Sequence, residues 1–527
     1  MSTVTASNAV TAANDLRTRL AAAFPLLSMI TPEESRAILM LARIATETSR
    51  TLLVWSITKG LERLADDGSF GPTVEGGNPG TVAQTLKGEG THMMGVKKAI
   101  VVILDFEPYF RDPVVVRGLR DAIPVAKSKG ITGIFLGPKL ELPVDLQREV
   151  ASVDLHLPDS EELAALVEVT HAANSKRKGL ELPKGAELAR LVDSARGLTV
   201  EEAENAFALS IVRSGQFSHE IVGAEKARAV KTSGALEILA APAGGLDNVG
   251  GLSAVKDWIR TRGKAFSPEA KAYGLPNPKG LLAVGVQGCG KSLAARAAAA
   301  TLGLPLVRLN VGALFGSLVG QSEANVRQAL KTIDAIAPCV VMVDELEKAF
   351  AGTGAGKSND SGTGSRVLGE FLTWTQERES PVFVMATAND VSALPPELLR
   401  RGRWDTMMFV DLPTSEERAE ILRIHLAKRK RASKGMDLEA LAESSEGFSG
   451  AELEQCITDA LFEAFADGAR EIKQADVAAA IRGTVPLSRT MAQQVGALRE
   501  WAATRCVPAS GRVNVTPDKP KGRVVAH

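Results

Sequence analysis

Short runs of apolar residues alternate along this chain with longer stretches in which apolar positions recur every three or four residues. Phe24–Ile30, Thr51–Ile57, Ile100–Asp105 and Ile131–Gly137 are runs of the first kind, bounded by turn or charged residues. They predict buried strands joined by helices, the alternation of an α/β fold with a parallel sheet. From Asp159 to Arg213 the period is helical throughout, and Glu220 to Leu239 predicts one more helix, ended by a linker-like Ala-Pro-Ala-Gly-Gly. The second half repeats the design. Strands are predicted near Leu281–Val286, Leu306–Asn310, Val340–Asp344, Val382–Thr387 and Met407–Val410, followed by helices to Ile481.

The halves also share words. Leu157-Pro158-Asp159-Ser160-Glu161-Glu162 returns as Leu412-Pro413-Thr414-Ser415-Glu416-Glu417, and Gly197-Leu198-Thr199 with Glu202 returns as Gly447-Phe448-Ser449 with Glu452. Upstream, Leu142-Pro143-Val144-Asp145-Leu146 parallels Leu394-Pro395-Pro396-Glu397-Leu398. Three matches in one order, each displaced by roughly 250 positions, predict a duplicated module.

Composition narrows the function. At 527 residues, with 45% hydrophobic and 24% charged residues, the chain is an ordinary multi-domain globular protein. Lys+Arg and Asp+Glu are both 62, and there are two tyrosines, so neither a global field nor base stacking favours nucleic acid. Arg512, Lys519, Lys521 and Arg523 make the end locally basic, which reads as a solvated tail. No apolar run approaches the ~18 residues a membrane span needs, and Met1 to Asn14 has neither the basic start nor the apolar core of a signal peptide. The four cysteines, Cys289, Cys339, Cys456 and Cys506, lack CxxC spacing. These features predict a cytoplasmic, reducing compartment.

Gly285-Val286-Gln287-Gly288-Cys289-Gly290-Lys291-Ser292 fits G-x-x-x-x-G-K-[ST] between an apolar strand and an alanine-rich helix that runs on from Leu293. Glycines let backbone N–H groups curl around phosphates at a helix N-terminus. Lys291 supplies a positive charge to the outer phosphates of ATP, and Ser292 a hydroxyl to Mg²⁺. The strand ending Asp344-Glu345 offers two carboxylates, Asp344 to hold magnesium through water and Glu345 to orient the attacking water. Gly354-Ala355-Gly356-Lys357-Ser358 imitates a phosphate loop, but Ala351 stands where its first glycine should be and no strand leads into it. It reads as a flexible surface loop.

Around that core the order of motifs resembles the AAA+ ATPases. Asp247-Asn248-Val249-Gly250-Gly251-Leu252 is similar to the family's adenine-side lead-in, Asn389 to its sensor-1 residue, and Arg400-Arg401-Gly402-Arg403-Trp404-Asp405 to its arginine-finger box. His425 falls at the adenine-side histidine, and Gly450-Ala451 matches a subgroup without a sensor-2 arginine. The resemblance implies nucleotide contacts from Val249, Gly250, Gly288, Cys289, Gly290, Lys291, Ser292, Leu293, His425 and Ala451. It also implies Mg²⁺ at Ser292 and Asp344, and catalysis by Glu345 and Asn389, with Arg400 and Arg403 reaching into a neighbouring subunit's site. From about Phe24 to Ala509 the chain is similar to AAA+ ATPases encoded by a hypothetical chloroplast reading frame, with cyanobacterial and other bacterial relatives. The chain phrases behind this are Pro25-Leu26-Leu27 with Thr31-Pro32-Glu33-Glu34, Val54-Trp55-Ser56 and Pro486-Leu487-Ser488-Arg489-Thr490. A plastid-encoded member would reside in the stroma.

Two departures shape the reading. Leu318-Val319-Gly320 stands where chain-threading relatives carry an aromatic pore residue, with Phe315 three residues early. After the first strand comes Thr31-Pro32-Glu33-Glu34 in place of a phosphate loop, acidic where phosphate would sit; Asp105 and Glu107 only echo the second motif. The expected fold is α/β: tandem P-loop-type modules, each a parallel sheet with flanking helices and a small helical lid, the first degenerate. The expected divisions are a disordered tail 1–20, a degenerate AAA-like domain 21–158, a lid-like region 159–215 and a helical linker 216–246. Then come an ATPase core 247–413, a lid 414–484, and an extension with a basic tail 485–527. The expected function is an ATP- and Mg²⁺-dependent ATPase acting as a hexameric homo-oligomeric ring that remodels a protein partner, with no membrane. The alternative is a slow nucleotide switch or scaffold whose assembly follows ATP occupancy.

Overall fold

In the computed structural model the predicted apolar runs form two separate sheets, one in each of the units 1–226 and 227–527. The structure describes residues 8–510 apart from 66–68, 72, 175–176, 178, 233, 241–243, 267, 315–320, 350–362, 401 and 432–434. The segment around Leu318, residues 350–362 of the imitation phosphate loop and the basic tail lie outside the described residues.

The first sheet contains β1 (Leu26–Ile30), β2 (Thr51–Ser56), β3 (Gly60–Arg63), β4 (Ala99–Leu104), β5 (Ile131–Gly137) and β6 (Val150–Ser152). Its order is β3-β2-β4-β5-β1-β6, parallel except for the hairpin strand β3. Alternate side chains serve opposite faces: Leu27, Val54, Val102 and Ile134 pack on one side, Leu26, Trp55, Ile103 and Phe135 on the other. Because helices cover both faces, the strands read as unbroken apolar runs.

The second sheet contains β7 (Leu236–Leu239), β8 (Gly280–Gly285), β9 (Leu306–Leu309), β10 (Cys339–Val343), β11 (Val382–Ala388), β12 (Thr406–Val410) and β13 (Val507–Pro508), in the order β13-β12-β8-β11-β10-β9-β7. Setting aside the extra edge strands β3, β7 and β13, both sheets place their five parallel strands in the order fifth, first, fourth, third, second. This is one topology used twice.

The repeated phrases mark matching helix starts. Asp159 and Glu162 form a capping box at Ser160–Ala173, as Thr414 and Glu417 do at Ser415–Lys428. Thr199 with Glu202 and Ser449 with Glu452 do the same at Val200–Ser214 and Gly450–Ala466. Each side chain accepts an otherwise unpaired N–H of the first turn, and the glutamate answers the cap residue's own N–H.

Two expected divisions differ from the structure, and a third gains a place in the sheet. The supposed disordered tail carries the helix Asn8–Ala21, whose Leu16 and Leu20 are fully buried against the first sheet. The i, i+4 spacing of those leucines, with Ala12 and Ala13, makes an apolar stripe that outweighs the polar composition. The linker helix ends at Thr232 rather than Leu239, and Leu236–Leu239 pairs antiparallel with β9 as an edge of the second sheet. The extension joins the second sheet: Val507 and Pro508 pair with Met408 and Phe409, and Ala509 is buried.

Candidate nucleotide site

At the end of β8 the chain turns through Val286–Gly290 into the helix Lys291–Leu302. Gly288 and Gly290 have φ of +78° and +86°, a backbone L side chains rarely adopt, and a Cβ on Gly288 would stand 3.0 Å from Ser449 Oγ. The loop therefore curls tightly beneath the start of the lid helix Gly450–Ala466, where the Ala451 N–H donates to Gly288 O at 3.0 Å. Lys291 is buried, its ammonium donating to Gly285 O and Val286 O at 2.9 and 2.8 Å. Burial pulls its pKa down to about 8, against the opposing charges of Glu347, Asp344 and Glu345 among others. Burial pushes the neighbouring Cys289 thiol up to about 12.

The register of β10 and β11, with Val343 opposite Ala386, sets Asp344 beside Thr387. Asp344 Oδ1 accepts the hydroxyls of both Ser292, at 2.7 Å, and Thr387. Glu345 takes a left-handed backbone, φ +52°, and its N–H donates to Thr387 Oγ1 at 3.0 Å. Its side chain meets Asn389 Nδ2 at 3.4 Å and the exposed Lys348 at 2.8 Å. Lysine, hydroxyl, paired acids and asparagine thus converge at one end of the sheet. This set can cradle phosphates, hold a hard divalent cation through oxygen, and orient a water.

Beside it lies a cavity of about 280 Å³ lined by Val249, Gly250, Gly288, Cys289, Gly290, Leu293, His425 and Ala451. Gly250 lets the lead-in backbone close onto the lid: a Cβ there would fall 2.5 Å from Ile421 Cγ1. His425 is largely buried, with Nδ1 3.3 Å from Glu454, and burial pulls its pKa down. Arg400 is exposed, and Arg403 donates to Leu372 O at 3.3 Å. Neither has a hydrogen bond to Ser292, Asp344, Glu345 or Asn389 among the described residues.

Sequence reasoning missed three contributors. Thr387 was hidden because only strand register brings it to Asp344. Glu347, buried and accepting the Asn389 N–H at 3.0 Å, was within reach as the next acid, two residues after Glu345. Ser510, whose hydroxyl donates to Glu417 at 2.6 Å on the cavity rim, carries no local signal.

The corresponding corner of the first unit is filled by its own side chains. Glu33 stands at the N-cap position of the helix Glu34–Glu47 and is buried; its side chain turns away from the helix, Oε1 accepting the Val200 N–H at 2.7 Å and the other oxygen pairing with Arg36. Arg36 continues to Glu162 at 2.7 Å and to His156 O at 2.7 Å. Burial raises the Glu33 carboxyl's pKa against the pull of Arg36. Asp105 adopts the same left-handed backbone as Glu345, φ +48°, but Leu104 stands where Asp344 would be.

Comparison with known proteins agrees with this division. The family described as "ATPase family associated with various cellular activities (AAA)" matches residues 281–412, and the AAA+ lid domain matches 435–479. The N-terminal and second domains of SpoVK-like AAA ATPases match 12–155 and 161–233. The ATP-dependent zinc metalloprotease FtsH 2 of Salinibacter ruber (strain M8) is 35% identical over 237 residues, 44% of this chain and 34% of that protein. The AAA domain-containing protein ycf46 of Pyropia yezoensis is 33% identical over 494 residues, 93% of this chain and 97% of that protein. That of Guillardia theta is 35% identical over 495 residues, 93% of this chain and 94% of that protein. With likeness sustained across nearly its whole length, the chain belongs to the ycf46 family of AAA domain-containing ATPases.

Proposed function

We propose that the second unit binds one ATP with Mg²⁺ and hydrolyses it, and that a ring of such chains uses the cycle to remodel a protein partner. The observation that carries this is the convergence of Ser292, Asp344, Glu345 and Asn389 around the loop that holds Lys291. ATP fits here because the glycine cradle leaves backbone N–H groups for phosphate and the adjoining cavity is apolar on its Leu293 and Ile421 side. Magnesium fits because Ser292 and Asp344 are hard oxygen donors already side by side; when bound, it would neutralise charge on the outer phosphates. Lys291 would leave its loop carbonyls for the phosphates, and Glu345, aligned by Asn389, would take a proton from the attacking water. Arg400 and Arg403, exposed or turned elsewhere within one chain, are assigned to the neighbour's site, which is the physical reason for a ring. The residues before 236 are assigned to partner recognition.

The protein-directed part draws on the FtsH likeness, since a protease so named acts on proteins. A slower switch is the second reading, favoured by the Lys348–Glu345 pair that occupies the proposed base. Two variants test the site. Lys291→Ala should lose ATP binding, and Glu345→Gln should bind labelled ATP normally yet fail to release phosphate. Undiminished ATP affinity in the Lys291 variant would end the assignment. Turnover that stays slow at every chain concentration and with every partner tried would favour the switch.

A further inference from the structure

Glu347 lies inside the site just described yet has none of the roles given to its neighbours. It belongs to the short helical turn Leu346–Ala349 after β10 and is 6% exposed. One carboxylate oxygen accepts the Asn389 N–H at 3.0 Å. The other is buried and has no hydrogen-bond partner among the described residues. Leaving part of a buried acid unsatisfied is costly, the more so for a charged group. A group present only to fill space would avoid that cost.

What the acid achieves is visible one bond further on. Asn389 is the first residue beyond β11, where the sheet no longer supplies an acceptor for its N–H. That backbone anchor fixes the Cα from which Asn389 Nδ2 reaches Glu345 Oε1, at 3.4 Å. A charged acceptor holds the N–H more firmly than a neutral one. We propose that Glu347 is a positioning residue for hydrolysis: it clamps the backbone of Asn389 and thereby aims Glu345, without touching nucleotide itself. The proposal rests on the active-site reading above.

The test uses the full chain with E347M, E347Q, N389A and the E347M/N389A double variant. Methionine keeps the length and removes the acceptor, and an unchanged ATP Kd shows that the variant has folded. Glutamine keeps a carbonyl oxygen that can accept the N–H. E347M should lower kcat about tenfold or more with ATP Kd unchanged, as small displacements of catalytic groups do. E347Q should recover most of that loss, and the double variant should be no slower than N389A alone. A merely structural role would move Kd, give no rescue by glutamine, and multiply with N389A. Wild-type kcat in E347M, an equal loss in E347Q, or multiplicative losses in the double variant would overturn the proposal. If N389A itself turns over at the wild-type rate, the active-site reading has failed instead.

Discussion

The hydroxyl of Ser292 donates to Asp344 Oδ1 at 2.7 Å, joining the first turn after the phosphate loop to the end of β10. Strand register and helix start alone bring these residues together, and on the proposed function the two oxygens would hold a shared cation. Asp344→Asn should raise the magnesium concentration needed for half-maximal turnover about tenfold or more, the scale seen when a metal's surroundings are altered. Chelation by EDTA should stop phosphate release in the wild type. An unchanged magnesium titration in the variant would place the metal elsewhere.

Among the described residues, Arg400 and Arg403 make no bond to the site within their own chain. Arginines supplied to a transferring phosphate are worth on the order of 10³–10⁵ in rate. Arg400→Ala or Arg403→Ala should nearly silence turnover while ATP affinity in isolated chains stays the same. Wild-type specific activity should rise with chain concentration. A dilute monomer working at full rate would reduce the box to a charged surface turn.

The Glu33 carboxylate occupies the first unit's counterpart of the phosphate cradle. Calorimetry on the full chain should therefore find one ATP bound per chain, abolished by Lys291→Ala. Glu33→Gln should not create a second site, because Pro32 has no N–H to offer and no lysine takes the place of Lys291. Two equivalents in the wild type would contradict the reading.

Leu16 sits fully buried in the core of the first unit. Leu16→Ala should destabilise that unit by about 2–5 kcal/mol, read as an earlier unfolding transition by calorimetry or hydrogen exchange of residues 26–30. A change within error would return the helix Asn8–Ala21 to the status of a loose tail.

Much of this architecture was legible because its signals are local. Strands buried on both faces are uninterrupted apolar runs, and a phosphate loop needs its glycines, lysine and serine consecutively. Capping boxes are four-residue words, which is why the duplication showed through them when little else of the two halves matched. The losses have the opposite character. β7 and β13 are short edge strands whose place is decided by the neighbour they meet, Leu306–Leu309 and Thr406–Val410 respectively. Thr387 and Ser510 join the site from positions that only the folded chain makes adjacent. The helix Asn8–Ala21 was missed for another reason: its alanines and threonines dilute a stripe that rests on Leu16 and Leu20.

In the first unit, the link between Glu33, Arg36, Glu162 and the Val200 amide spans the two parts that a nucleotide would ordinarily draw together. A dissociable ligand makes such closure a matter of concentration, open when the ligand is scarce and shut when it is plentiful. A carboxylate carried on the chain is present at fixed stoichiometry and never washes away.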